Sequence, residues 1–293
     1  MMSFLTFNTY LRQKFGCRVQ KIPIDAGLTC PNRDGRIGRG GCIYCNQLGS
    51  GTGAFSKGVS IREQMERGIM WARRRYKARK FIAYFQSYSN TYAPLHVLED
   101  IYSQALLGPD VVGLFISTRP DCIDDERLEL IKRVSKGRML WMEYGLQSAS
   151  DKTLSLINRG HKVADFIRAV EITHEFGIPV CAHVIFGLPG EGQDEMTDTV
   201  RLLSDLGIEG VKFHQLYVVK GTVLHDLYKK GRYQPISREE YVDMVLWAIR
   251  HLSKETVIHR LTGDPMPGEL VAPDWSLEKT RIIQQIRSRI GTN

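Results

Sequence analysis

The stretch Cys30-Pro31-Asn32-Arg33-Asp34-Gly35-Arg36-Ile37-Gly38-Arg39-Gly40-Gly41-Cys42-Ile43-Tyr44-Cys45-Asn46 decides how the chain is read. Three of the six cysteines fall inside it, and the last two have the x₂ spacing that lets adjacent thiolates grip one inorganic centre. A structural zinc site closes with four ligands. Here a fourth local cysteine is missing, and no histidine occurs until His96. A cubane [4Fe–4S] cluster usually takes four thiolates, so three would leave one iron open to an external ligand. The triplet alone leaves a redox-active CxxC open, and also a zinc site completed by His96 or His183 from a distance.

Outward from the loop, the chain alternates strand and helix. Residues 20–24 read as a first strand leading into the cysteines. Gly49, Gly51 and Gly53 follow, and read as a flexible connector, since a phosphate loop needs strand–loop–helix context. The capping box Ser60-Ile61-Arg62-Glu63 opens a helix to about Tyr76. Further strands are expected at 81–85, 111–117, 139–145, 179–186 and 211–218. Helices are expected at 94–107, 125–136, 163–176 and 194–206, with a short piece near 151–157. Met139 and Met142 belong to the core. Gly108, Gly137, Gly177 and Gly207 stand where a left-handed residue would turn a helix back toward the next strand.

Six strands alternating with helices argue a parallel α/β sheet. Curled, it becomes a (β/α)₆ partial TIM barrel whose active face lies at the strands' C-terminal ends; an open doubly wound sheet is the alternative. After about Leu224 the character changes. A helix opens at Ser237-Arg238-Glu239-Glu240, then come a candidate strand at 257–260, a Pro/Gly loop and an amphipathic helix to Ile290. The division expected is a core over 1–224 and a mainly helical extension over 225–293.

With 293 residues and 43% hydrophobic content, a full core is within reach. No signal peptide and no membrane span are expected. Cys17, Cys122 and Cys181 suggest no disulfide framework, which fits a reduced, cytoplasmic protein. A net charge of +8 suits an anionic partner, nucleic acid first. The densest basic run is Arg73-Arg74-Arg75-Tyr76-Lys77-Ala78-Arg79-Lys80, which suits equally an RNA contact or a solvated helix end. Arg33, Arg36 and Arg39 add charge inside the cysteine loop, close to the expected chemistry.

Several segments follow strand ends: Gln86-Ser87-Tyr88-Ser89-Asn90-Thr91-Tyr92, Ser117-Thr118-Arg119-Pro120-Asp121, Glu143-Tyr144-Gly145-Leu146-Gln147-Ser148, Asn158-Arg159-Gly160-His161, and His183-Val184-Ile185-Phe186-Gly187-Leu188-Pro189-Gly190-Glu191. With the cysteines, this set resembles the radical S-adenosylmethionine (SAM) superfamily. The resemblance is to the branch that holds the Elongator catalytic subunit and oxygen-independent coproporphyrinogen oxidase. The x₁₁ first spacing departs from the superfamily's usual x₃. From the CPNRDG loop to Ile258–Pro265 the chain is similar to the YtqA/YhcC family, with its MnmL-like maturases of the tRNA wobble uridine.

The resemblance implies a [4Fe–4S] cluster held by Cys30, Cys42 and Cys45, and reductive cleavage of SAM to a 5′-deoxyadenosyl radical. It places Ser87, Asn90 and Thr91 near the SAM amino group. Gln147 and Arg159 match SAM contacts, and the backbone from Ile185 to Gly187 would line the adenine. Ser117 stands where relatives carry a ribose-binding Glu, and His183 matches the Elongator-like pattern. The substrate implied is tRNA at its anticodon region, with 5-carboxymethylaminomethyluridine converted to 5-aminomethyluridine at wobble position 34. Implied partners are an electron donor such as flavodoxin or ferredoxin and a tRNA methyltransferase. Hydrogen abstraction is expected at the carboxymethyl carbon, where nitrogen and carboxylate stabilise a radical. Lys212, His214, Lys220, His259 and Arg260 are candidates to bind the substrate carboxylate. Tyr84, Tyr88, Tyr92 and Tyr144 are candidates to stack on a flipped base. Two rivals remain: a radical SAM enzyme acting on a protein or small metabolite, and a non-catalytic zinc-binding RNA protein.

Overall fold

Runs such as Lys80–Phe85 and Val111–Thr118 carry apolar side chains on both faces, as strands covered on both sides require. In the computed structural model, which describes residues 4–49, 53–266 and 268–290, they form a parallel sheet. Its strands are β1 (Val19–Ile24), β2 (Lys80–Phe85), β3 (Val111–Thr118), β4 (Met139–Gln147), β5 (Val180–Phe186) and β6 (Gly210–Gln215), paired in chain order. The curled sheet is the expected partial barrel rather than an open doubly wound one.

Helices return the chain along the outside: α1 (Phe7–Phe15) precedes β1, then come α2 (Ile61–Tyr76), α3 (Leu95–Ala105), α4 (Asp125–Ser135), α5 (Asp151–Leu156), α6 (Val163–Glu175) and α7 (Gln193–Asp205). On α4, Leu128, Ile131 and Val134 are buried together, as their spacing requires. The turn-back glycines Gly108, Gly137, Gly177 and Gly207 have φ of 70, 75, 68 and 63°. In that region a side chain would strain the backbone.

The sixth strand is shorter than the sequence suggested. β6 ends at Gln215, and β7 (Val218–Val219) leaves the barrel to pair antiparallel with β9 (Leu270–Ala272). The barrel instead gains a seventh strand, β8 (Val257–Arg260), parallel to β6. The rest of the C-terminal part is α8 (Val223–Lys229), α9 (Arg238–His251) and α10 (Lys279–Ile290). Tyr241, Val245, Ile282 and Ile286 from α9 and α10 belong to the same apolar core as the barrel helices.

The two ends of the barrel differ. At the end where strands begin, α1 packs against β1 and β8, and Thr6 bridges to Ile258. Leu11, Val19, Ile82, Phe115, Trp141, Cys181 and Val257 fill the interior there. The basic run lies at this same end, because α2 descends from the cysteine loop to the start of β2. There Arg73 pairs with Asp110 at 2.6 Å, Arg75 covers Tyr76 and Lys80 covers Phe15. The strand ends carrying the cysteines and the motif loops are opposite.

Candidate functional site

The cysteine loop folds on its own backbone. The Ile37 amide donates to the Pro31 carbonyl at 2.9 Å, and Asp34 bridges to Arg39. Arg36, Ile37 and Arg39 are left exposed at the tip. Two asparagines tie this loop to the Asn158–His161 segment reciprocally. Asn32 Nδ2 donates to the Asn158 carbonyl at 2.6 Å, and Asn158 Nδ2 donates to the Gly41 carbonyl at 2.8 Å. Sequence reasoning quoted both residues but gave neither a task. Gly49 (φ 57°) lies under the Tyr88 ring; Gly51 lies outside the described residues.

Cys42 is buried, while Cys30 and Cys45 are half-buried, and all three thiols are free. Arg159 Nη1 stands 3.6 Å from Cys42 Sγ, and Asn32 Nδ2 3.9 Å from it. Burial pushes the Cys45 thiol up, against the opposing pull of Arg33. Arg33 itself donates to the Cys45 and Asn46 carbonyls and covers Tyr88, so it holds the loop rather than reaching outward. Among the described residues, the one set of three His, Cys, Asp or Glu ligand atoms within 4.8 Å of one another is Glu143, Cys181 and His183. The triplet sulfurs are therefore spread wider than a single zinc ion, bonding each at about 2.3 Å, would hold them. A multi-iron cluster with each thiolate on a different iron suits that spread. His96 is exposed on α3 and His183 lies in the barrel interior, so neither completes a zinc site with the triplet. A cation between Glu143, Cys181 and His183 would face the ammonium groups of Lys21 and Lys212, already on the same carboxylate.

Around the cysteines, the motif loops show the polar atoms and strained backbone that mark binding sites. Ser87 Oγ and Asn90 Oδ1 are buried without a hydrogen-bond partner. Tyr88 and Gln147 sit at φ of 58 and 74°, Gln147 at a β-bulge in β4. A Cβ on Gly145 would lie 2.5 Å from both Arg159 Nη2 and Gln147 Nε2, so a side chain there would displace both of these groups. Arg159 donates to the Gly145 carbonyl at 2.9 Å and to His161 Nε2 at 2.9 Å. That donation makes His161 the acceptor and hence neutral; burial and Arg159 push its pKa down to about 3. Buried Arg119, quoted in its sequence motif without a task of its own, binds Asp121 with two 2.8 Å bonds and the Arg159 carbonyl at 2.7 Å.

Other expected contacts are already committed within the fold. Thr91 Oγ1 bonds Thr118 Oγ1 at 2.6 Å and the Cys122 carbonyl at 2.5 Å. Asn90 Nδ2 donates to the Ser117 carbonyl at 2.8 Å. Gly187 (φ 82°) packs against Ile236, and its carbonyl accepts from Tyr233 at 2.9 Å, so the end of β5 also docks the C-terminal part. Tyr144 is buried on the outer face against Thr173, and Tyr84 is buried inside the barrel; neither can stack on a base. Tyr88 and Tyr92 remain at the open end, under Arg33 and Arg36.

Below these loops, Glu143 is the hub of a buried polar layer. It accepts from Ser117 Oγ at 2.8 Å and from Lys212, and lies 3.4 Å from Lys21 Nζ and 3.0 Å from His183 Nε2. Burial alone would raise its carboxyl, but Lys21 and Lys212 hold it well below the usual carboxylate range. Lys212 also donates to the Tyr84 hydroxyl at 2.5 Å. Burial, reinforced by Lys212, lowers His183 to about 4. Lys21 carried a legible signal that was missed: a lysine inside an apolar strand.

The model of the radical SAM superfamily matches residues 33–203, and that of a radical SAM C-terminal domain matches 208–291. The chain belongs to the radical SAM superfamily. As a radical SAM enzyme it uses a [4Fe–4S] cluster and SAM. It is similar to YtqA of Bacillus subtilis, 36% identical over 97% of this chain and 88% of that protein. Likewise, YhcC of Escherichia coli is 39% identical over 92% of this chain and 86% of the relative. A tRNA uridine(34) acetyltransferase of Methanocaldococcus infernus is 29% identical over 52% of this chain and 29% of its own length. Among solved structures, the fold matches the archaeal Elp3 of that organism with a TM-score of 0.72 at 17% identity, over 92% of this chain and 63% of that one. Among the described residues, no helix of this radical SAM protein is long and apolar enough to cross a membrane.

Proposed function

We propose that the chain modifies tRNA in the cytoplasm, converting 5-carboxymethylaminomethyluridine to 5-aminomethyluridine at wobble position 34. The observation that carries this reading is the likeness, over about half the chain, to an enzyme named for acetylating uridine 34 of tRNA. The exposed Arg36 and Arg39, beside the cysteines at the open end, support a polyanionic substrate.

When bound, the cluster and SAM supply hydrogen-atom abstraction, and the protein supplies position, electrostatics and exclusion of side reactions. In this reading Cys30, Cys42 and Cys45 hold the cluster, and Arg33, Asn32 and Asn158 hold the loop that presents them. Arg159, oriented by Gly145, His161 and Arg119, and Gln147 face SAM. Ser87 offers its unpartnered hydroxyl, while Asn90 and Thr91 fix the shape of that loop. The backbone at Ile185 and Gly187 borders the adenine. Ser117, bonded to Glu143, serves the polar layer rather than the ribose. Residues 1–224 act as the radical-bearing core, and 225–293 as an extension that also supplies the seventh strand of the barrel. A small acidic electron-transfer protein such as a flavodoxin or ferredoxin reduces the cluster, and a tRNA methyltransferase takes the product.

The test is direct. Purified enzyme, SAM and a reductant are given tRNA deuterated at the carboxymethyl carbon. Nucleoside mass spectrometry should show the aminomethyl product and deuterium in 5′-deoxyadenosine. Protein that cleaves SAM but leaves this nucleoside untouched would favour a protein or metabolite substrate.

A further inference from the structure

The substrate reading above calls for a cation to receive a carboxylate, and the fold removes most candidates. Lys212 is committed to Glu143 and Tyr84. The His259 side chain is fully enclosed among Phe7, Trp141 and Phe115 at the sealed end, and burial lowers it to about 3. Lys220 is exposed after β7, away from the barrel strands. His214 is pushed well below its ordinary value by burial, then by Arg260, so it offers no charge.

Arg260 is different. Along β8, Val257 lies inside the barrel and Ile258 in the outer core, so alternation alone would put His259 inside and Arg260 outside. The ladder with β6 slips at this point: Val211 pairs with Ile258, but Lys212 pairs with Arg260. Such a bulge sets two residues against one and re-aims a side chain. Arg260 therefore shares the interior face with Lys212, and its charge is felt by Tyr84, Cys181, His183, His214 and Tyr217. Among the described residues its guanidinium has no hydrogen bond and no ion pair. Its backbone is clamped on both sides. Lys212 pairs with it, and beyond it the Leu261 carbonyl accepts from Tyr241 at 2.8 Å while the Gly263 amide donates to Gln215 at 2.7 Å.

Charge makes the same point. Lys21, Lys212 and Arg260 line the interior, and Glu143 is the carboxylate they share it with. Lys212 is buried and Lys21 and Arg260 are half-buried, so this cluster of three cations around one carboxylate favours a further anion. A guanidinium cannot shed its proton, and its planar fork fits a carboxylate with two parallel bonds.

Resting on the proposed tRNA reaction, we propose that Arg260 is the specificity residue that binds the substrate's carboxylate inside the barrel, through a two-pronged ion pair. The bulge in β8 exists, on this view, to aim it.

The test compares two anticodon stem-loops, one carrying 5-carboxymethylaminomethyluridine and the other 5-aminomethyluridine. Affinities are measured on cluster-loaded protein with SAM present and no reductant, so that nothing turns over. Wild type should prefer the carboxylate form by at least about tenfold, the worth of a charge-assisted bond. Arg260→Gln should reduce that preference below about twofold, with Arg260→Lys between the two. Lys220→Gln should keep it. Iron content equal to wild type checks that the variants fold. A preference that survives Arg260→Gln would overturn the assignment. So would a variant that weakens SAM binding alone, since the arginine would then serve the carboxylate of SAM. No preference in a wild type that still converts the nucleoside would overturn the assignment and leave the reaction standing. Absence of conversion would instead remove the reaction, whatever the affinities show.

Discussion

The two ends of this barrel use the same strands for opposite purposes. At the sealed end, α1, Phe115, Trp141 and Val257 form an apolar plug that also encloses the unpartnered ring nitrogens of Trp141 and His259. At the open end, Ser87 and Asn90 keep buried polar atoms unpaired, and Tyr88, Gln147 and Asn158 hold left-handed backbone. A fold tolerates such costs where the remainder over-determines the backbone. The contrast teaches that stability should reside at one end and chemistry at the other, with the Glu143 layer as the boundary.

The largest effect should come from emptying the sealed end. Trp141→Ala removes a side chain 2% exposed, packed against Tyr10, Phe115 and His259. It should cost about 3–5 kcal/mol of stability, read from denaturant midpoints. Iron loading of the protein that remains folded should match wild type. Loss of loading in proportion to the mutation would break the separation of the two ends.

Much of this division was legible in the sequence, though not all of it. The four turn-back glycines, the buried stripe of α4 and the motif loops at strand ends follow local rules, and they fall where those rules put them. α1 is absent from the sequence-based elements although its signal is legible: Phe7, Tyr10, Leu11 and Phe15 fall at helical spacing behind the N-cap Thr6, and they form the face that plugs the barrel. The Lys212–Glu143 pair spans 69 positions, and no local pattern connects such partners. Arg260 is among the sequence's candidates for the substrate carboxylate, but the one-residue slip in register that turns it inward has no local signal.

A smaller effect separates the two basic surfaces. Reversing charge at Arg36 and Arg39, on the open rim, should weaken tRNA binding several-fold and flatten its salt dependence by a slope of about 1–2. Reversing Arg73, Arg74 and Arg75 at the sealed end should change affinity by less than about twofold, because their end faces away from the cysteines. Filter binding over a salt series reads both. Equal losses from the rim pair and the sealed-end triad would mean that RNA wraps the whole barrel.

The most direct test of the account is an iron count at the open end. Anaerobically reconstituted protein should bind about four irons per chain and make 5′-deoxyadenosine from SAM with a strong reductant. The triple variant Cys30→Ala, Cys42→Ala, Cys45→Ala should bind almost no iron and make none. Tight zinc binding by the wild type, with no iron-dependent cleavage of SAM, would contradict the account.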